Sequence, residues 1–245
     1  MEDKNPFEGV KTCGNYTRLW QLTGFVLFLQ VIVSVIVAEY ERRHGLNFST
    51  FEAIVPALLA TGLVSWLMLR GLGVSWRAAR DDWSQNALGD IKKSFKYFGG
   101  YVLVMLILFA GLLAAYWYWG DWLQKITQPQ ADKNTNENAL LQAAAAVSQW
   151  RLVLVLFSAC VVAPIVEEVF FRRIVYTAIR LKNKFWFSAF WSGLLFAVFH
   201  GAAAPFILPV GMYFCWVYER ERRLPVNILL HSLVNLTMVT LKVLT

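Results

Sequence analysis

Charge is scarce in this 245-residue chain: 16% of its residues are Asp, Glu, Lys or Arg, against 58% hydrophobic and 16% aromatic. That balance excludes a disordered chain and argues against a water-soluble domain, which typically carries about 25% charged residues. Cysteine is rarer still. Cys13 precedes the first apolar run, where a reducing cytoplasm is expected, and Cys160 and Cys215 fall inside apolar runs, so no disulfide framework, metal-type spacing or cysteine chemistry is expected. The chain has no Gly-rich phosphate loop, no internal repeat and no His-Glu-x-x-His zinc motif. Its first apolar run is long enough to span and is followed by Glu39-Tyr40-Glu41 rather than a small-residue cleavage pattern, so it reads as a retained signal anchor. Histidine occurs three times, at His44, His200 and His231.

What the chain has in abundance is apolar segments of spanning or near-spanning length: 19–38, 53–69, 97–119, 151–171, 185–200, 202–217 and 224–244. The expected fold class is therefore all-α, a polytopic transmembrane helical bundle of about seven spans plus a cytoplasmic interfacial helix. Lys and Arg in the successive connections number 3, 2, 6, 2, 5, 0, 3 and, counting Lys242 at the end of the last run, 1, alternating at every step, which puts the N-terminus in the cytoplasm and the C-terminus outside. The net charge of +7 is explained by basic residues facing the cytoplasm and anionic lipid, with no need of nucleic acid. The expected location is the bacterial plasma membrane, as a multi-pass integral protein.

Between Ser75 and Phe98, apolar residues recur at helical spacing with Arg77, Arg80, Lys92, Lys93 and Lys96 between them. This is the expected interfacial helix, with Gly89 as a candidate break. Residues 124–138 are polar, contain Pro129 and lack periodicity, so an external loop is expected there. Residues 1–245 are read as one membrane domain, with 1–149 as scaffold and 150–245 as the functional core.

Within that core, ionisable groups stand inside apolar runs, where a carboxylate costs roughly 2.5 to 3.5 kcal/mol on insertion scales and so marks a candidate functional site. Glu168 and Arg172 are spaced i, i+4 with the acid first, the favourable order for a helical ion pair; Glu167 points about 100° away and is left as the free carboxylate. Phe196 and His200 share a helix face, as do His231 and Asn235, so each imidazole has a same-face neighbour that can order it. A carboxylate, two imidazoles and a carboxamide can activate water and stabilise an oxyanion, the requirements of amide hydrolysis without a serine or cysteine nucleophile. The same residues can instead serve as interhelical polar contacts, and the Glu pair as a proton relay, so a non-catalytic membrane protein, whether a proton-coupled transporter or an immunity or scaffold protein, is the alternative. Depth bears on the grouping. His200 lies roughly 22 Å along its helix from Phe185, and Glu167 matches it only if its own helix continues to Arg180 and Lys182.

At these residues the chain resembles the CAAX protease and bacteriocin-processing (CPBP, or Abi) family of intramembrane peptidases, which includes the type II CAAX prenyl endopeptidases. The family signature is Glu-Glu-x-x-x-Arg, then Phe-x-x-x-His, then His-x-x-x-Asn or Asp; here it reads Glu167-Glu168-Val-Phe-Phe-Arg172, Phe196-Ala-Val-Phe-His200 and His231-Ser-Leu-Val-Asn235, in order. The resemblance implies a glutamate-dependent endopeptidase acting on a peptide or membrane-protein segment that enters from the cytoplasmic or lateral side. By the same analogy Glu167 with His200 activates water, His231 and Asn235 stabilise the oxyanion, and Glu168, Arg172 and Phe196 support them. No cofactor is expected on this reading; the other version is a zinc held by Glu167, His200 and His231 with an open position.

Overall fold

The computed structural model describes residues 5–244, and its regular elements among those residues are all helical. Helix α1 covers Tyr16–His44. It starts where the Asn15 side chain accepts from the Thr17 N–H at 2.9 Å and stops at Gly45, whose φ of 62° lets its N–H close on Glu41 O. A short α2 (Thr50–Ala53) leads into α3 (Val55–Gly71), which carries a proline in its first turn, where no backbone donor is lost. Helix α4 (Trp76–Val147) has one non-helical residue inside it, Trp119 at φ −131° and ψ 34°. Helix α5 runs from Gln149 to Arg180 and contains two π-helical stretches, Ser158–Val162 and Glu168–Tyr176. Then follow α6 (Phe185–Val198), a 3₁₀ turn at Gly201–Ala203, α7 (Ala204–Glu221) and α8 (Leu224–Leu244).

Among the described residues, four stretches are long and apolar enough to cross a membrane: Tyr16–His44, Trp76–Trp122, Gln149–Arg180 and Leu224–Lys242. Val55–Gly71 and Phe185–Val198 are apolar but shorter. With α7 these make seven helical bodies where seven apolar runs stand in the sequence. The continuation of α5 to Arg180 supplies the length that the depth argument requires. Two local expectations are corrected. Residues 124–138 are helical rather than looped, with Gln128 Nε2 donating to Asp132 Oδ1 at 2.7 Å and Thr135 Oγ1 to Ala131 O, so polar side chains here support the next turn instead of breaking it. The amphipathic segment is not broken at Gly89 either: it is the first part of α4, anchored to α8 by Ser94 Oγ donating to Val226 O at 3.0 Å.

The basic ends of the helices gather on one face. There Arg223 makes a two-pronged pair with Asp90 at 2.5 and 2.8 Å, Arg180 pairs with Glu219 at 2.8 Å, and Tyr97 and Lys93 both reach Glu221. The N-terminal segment is fastened to the same face by Asn5 Nδ2 donating to Arg180 O and Arg173 Nη2 to Lys11 O, each at 2.8 Å. At the opposite face Arg151 bridges Glu52 and Asn47 O. The protein core lies around α5, whose Phe170, Phe171, Ile174 and Val175 are packed by α1, α3 and α6. Helices α6 and α7 approach so closely at Gly193 and Gly211 that a Cβ built on Gly211 would stand 3.0 Å from Gly193 Cα. That contact brings the α7 backbone within reach of the buried groups of α5.

Candidate active site

The site is built from α5, the end of α6, and α8, with α7 behind it. On α5, Glu168 and Arg172 are both fully buried, and Arg172 Nε lies 3.2 Å from Glu168 Oε2, the ion pair expected from their spacing. Burial of a pair is costly where the remaining polar groups are not also met, and Arg172 Nη1 has no hydrogen-bond partner among the described residues. The guanidinium lies over the rings of Phe196 (4.5 Å) and Phe214 (5.2 Å), and its Nη2 points to Gly211 O at 3.4 Å. Stacking on two aromatic faces suits a planar, weakly hydrated cation that has left water.

Glu168 has further partners on α8. Its Oε1 is 2.9 Å from His231 Nδ1, and its Oε2 accepts from Asn227 Nδ2 at 3.2 Å. A carboxylate can only accept here, so His231 carries its proton on Nδ1 and turns Nε2 toward Glu167, whose Oε2 is 3.7 Å away. The structure therefore corrects one expectation: His231 is ordered by Glu168 across 63 residues of sequence, not by Asn235 one turn above it. Asn227 was not anticipated. The signal was available, because Asn227, His231 and Asn235 form one i, i+4, i+8 stripe of polar side chains on an apolar helix.

Glu167, the neighbouring carboxylate, is left without such support. Its Oε2 is buried and has no hydrogen-bond partner among the described residues. A buried acceptor in that state calls for a water or a substrate group.

His200 lies just past the end of α6, before Gly201, whose φ of 61° turns the chain. The turn sends the His200 N–H to Ala197 O, and the His200 ring takes up the Phe196 carbonyl instead, Nδ1 to O at 2.7 Å. A carbonyl only accepts, so Nδ1 holds the proton and the neutral ring offers the Nε2 lone pair. The Phe196 ring packs against both imidazoles, 4.6 Å from that of His200 and 5.8 Å from that of His231.

Asn235 donates from Nδ2 to Ala159 O at 2.7 Å. The reason lies five residues on from Ala159. In the π-helical stretch Ser158–Val162 the backbone bonds run to the fifth residue back, as Ala163 N–H does to Ser158 O. The next donor in that register would be residue 164, a proline with no N–H. Ala159 O is thereby left over and the Asn235 carboxamide satisfies it, keeping its second N–H for other work.

Glu167, His200, His231 and Asn235 line a single cavity of about 510 Å³, with Phe196 and Phe214 among its walls. Of the sequence-derived residues, Glu168 and Arg172 stand behind it rather than in it. Among the described residues, no group of three or more His, Cys, Asp or Glu side chains is placed to hold a metal ion. Both imidazoles are held through Nδ1, His231 by the Glu168 carboxylate and His200 by the Phe196 carbonyl, which leaves Nε2 as the second ring nitrogen of each.

With this geometry in view, the comparisons with known proteins become informative. Residues 149–237 match the family model described as type II CAAX prenyl endopeptidase Rce1-like, an interval that contains all three motifs. Over these residues the chain is similar to that family of membrane peptidases. A Bacillus subtilis (strain 168) protein named "Putative membrane peptidase YdiL" is 30% identical over 105 residues, which is 42% of this chain and 41% of that protein. The chain thus matches about two fifths of the length of this curated relative. No solved structure matches the chain. The matched segment holds most of the cavity lining, on α5 to α8, while α1, α3 and α4 lie outside it and α4 adds Tyr101 and Met105 to the wall.

Proposed function

We propose that the protein is an intramembrane endopeptidase of glutamate type, cutting a peptide bond of a membrane-associated peptide or protein. The observation that carries this reading is the convergence of Glu167, His200, His231 and Asn235 from three helices on one cavity, with a Glu167 oxygen buried and without a hydrogen bond among the described residues. A water in that cavity has two acceptors, the Glu167 carboxylate and the His200 Nε2 lone pair. As the water oxygen bonds to the substrate carbonyl carbon, Glu167 takes its proton. The negative charge that develops on the carbonyl oxygen is met by the second N–H of Asn235 and, in the protonated ring, by His231 Nε2–H. The C–N bond then breaks, with the proton passing from Glu167 to the leaving amine. Glu168, Arg172 and Phe196 act as positioning residues: Glu168 fixes the His231 tautomer, Arg172 holds Glu168, and Phe196 spaces the two imidazoles.

Two measurements test the reading. Membranes from cells carrying wild-type protein and Glu167→Gln are compared for a cleaved terminus that vanishes in the mutant, and the purified proteins are assayed on that sequence. The expected loss is at least ~10²-fold, the usual contribution of a general base, with little change in detergent stability. Activity above about a hundredth of wild type rules out Glu167 as the base. Purified enzyme treated with a strong chelator is expected to keep its activity; a loss restored by zinc would replace the water-only chemistry with a metal-bound hydroxide while leaving the peptidase reading in place.

A further inference from the structure

Resting on the peptidase reading, we infer that the cavity is entered from the face opposite the basic one, so that the substrate is an apolar peptide segment presented from the non-cytoplasmic side of the membrane. This departs from the expectation of cytoplasmic or lateral entry that the resemblance carried.

The lining residues give the direction. Starting from the level of Glu167 and His231, the cavity continues along each helix one way only. On α8 it passes from His231 to Asn235, Met238 and Lys242, a stripe of about 16 Å along the axis. On α5 it runs back from Glu167 to Ala163 and Ala159, and on α7 back from Phe214 through Val210 and Ile207 toward the 3₁₀ turn. On α6 it runs from Phe196 to His200 at the helix end. Helices α5 and α7 descend toward the basic face while α6 and α8 rise from it, so all four traces lead away from that face.

Exposure follows the same gradient. His231 and Phe214 at the floor are 4% and 1% exposed, whereas Phe206 and Met238 at the far end are 38% and 48% exposed. Below the floor the way is closed by Glu168, Arg172, Asn227 and Tyr176, each fully buried, and then by the Arg180–Glu219 and Arg223–Asp90 pairs. Basic residues flanking spans remain on the cytoplasmic side. Arg77, Arg80, Lys92, Lys182, Lys184, Arg220 and Arg222 all belong to the connections at the closed face. Apart from Tyr101, Asn235 and Lys242, the walls between floor and mouth are Ala, Val, Ile, Phe and Met side chains, which suits a peptide with apolar residues on either side of the scissile bond.

The test uses full-length protein in which Cys13, Cys160 and Cys215 are replaced by Ser, with one cysteine returned at Met238→Cys or at Lys92→Cys. A membrane-impermeant maleimide is applied to intact cells and to inverted vesicles, followed by a pool of quenched fluorescent peptides rich in apolar residues. The expected result is that Met238→Cys is labelled in intact cells and Lys92→Cys only in inverted vesicles. Intact cells should also cleave the peptides with wild-type protein but not with Glu167→Gln, and labelling Met238→Cys should lower that cleavage at least tenfold. Labelling of Met238→Cys only in inverted vesicles, or cleavage confined to them, overturns the inference and leaves the peptidase reading standing. Outside labelling of Met238→Cys with no cleavage from either side instead overturns the peptidase reading, and with it the substrate named here.

Discussion

The two halves of the chain meet their surroundings in opposite ways. In the most apolar 18-residue window of the Trp76–Trp122 helix no residue is buried within the protein, and in that of α1 11% are, whereas the figure is 44% for α5 and 33% for α8. Phe25, Phe28, Val35 and Leu106 are more than half exposed, as lipid-facing side chains are; Phe170, Phe196 and Leu230 of the second half are almost completely enclosed by protein. In a bilayer there is little hydrophobic gain in moving an apolar side chain from lipid to protein, so the second half is held by close packing and polar contacts instead. The lesson is that burial within this molecule marks where polar groups have to be sheltered, and that shelter coincides with the cavity.

The contrast breaks most sharply at Glu168. Replacing it by Gln strands the buried Arg172 guanidinium and leaves one acceptor oxygen for His231, Asn227 and Arg172, so a loss of about 3 to 5 kcal/mol in detergent stability is expected, measured by the shift of the thermal unfolding midpoint. A Glu168→Gln protein as stable as wild type would show that the pair does no structural work.

Next in size is Gly211→Ala. The added methyl would meet Gly193 and Phe196 at 3.0 to 3.1 Å, which an α6–α7 shift can relieve at a cost of about 1 to 3 kcal/mol. Because Gly211 O also faces Arg172, any retained peptidase activity should fall along with stability. Unchanged midpoint and unchanged activity would mean the two helices are not in contact there.

The first half should yield the smallest effect. Glu52 is pushed up by burial, but hydrogen bonds from Arg151 and Ser49, with the Arg151 charge, together more than offset this and hold its carboxyl below the usual carboxylate range. A carboxyl held low in the folded state stabilises above its unfolded pKa and loses that contribution as pH falls through the lowered value. Wild type should therefore lose up to ~1 kcal/mol more than Glu52→Gln between pH 6 and pH 3. Parallel pH curves for the two proteins would remove the tie between α2 and α5.

What could be read beforehand was local. The Glu168–Arg172 pair follows from a four-residue spacing, the Phe196–His200 contact likewise, and the apolar runs mark the helices. Contacts that need two distant segments at once were not legible. The Glu168–His231 bond is one, since any of several carboxylates could have met that ring. The π-helical stretches are another: they change which carbonyl Pro164 leaves over, and only the packed structure shows that Asn235 answers it. Residues 124–138 misled for a different reason, because their polar composition suits a loop as well as a helix that has left the apolar layer.

The Gly193–Gly211 contact also bears on how the chain enters the membrane in the first place. Helix α6 has 14 residues, about 21 Å of rise, and α7 has 18 including Glu219, Arg220 and Glu221 at its end. Neither matches the ~30 Å of hydrocarbon that a lone span must cross. Joined by a three-residue 3₁₀ turn and zipped backbone to backbone at the two glycines, they offer the insertion machinery one hairpin in place of two inadequate segments. A side chain at either glycine would then be felt during synthesis, as a fraction of chains that fail to integrate, before any folded protein exists to be destabilised.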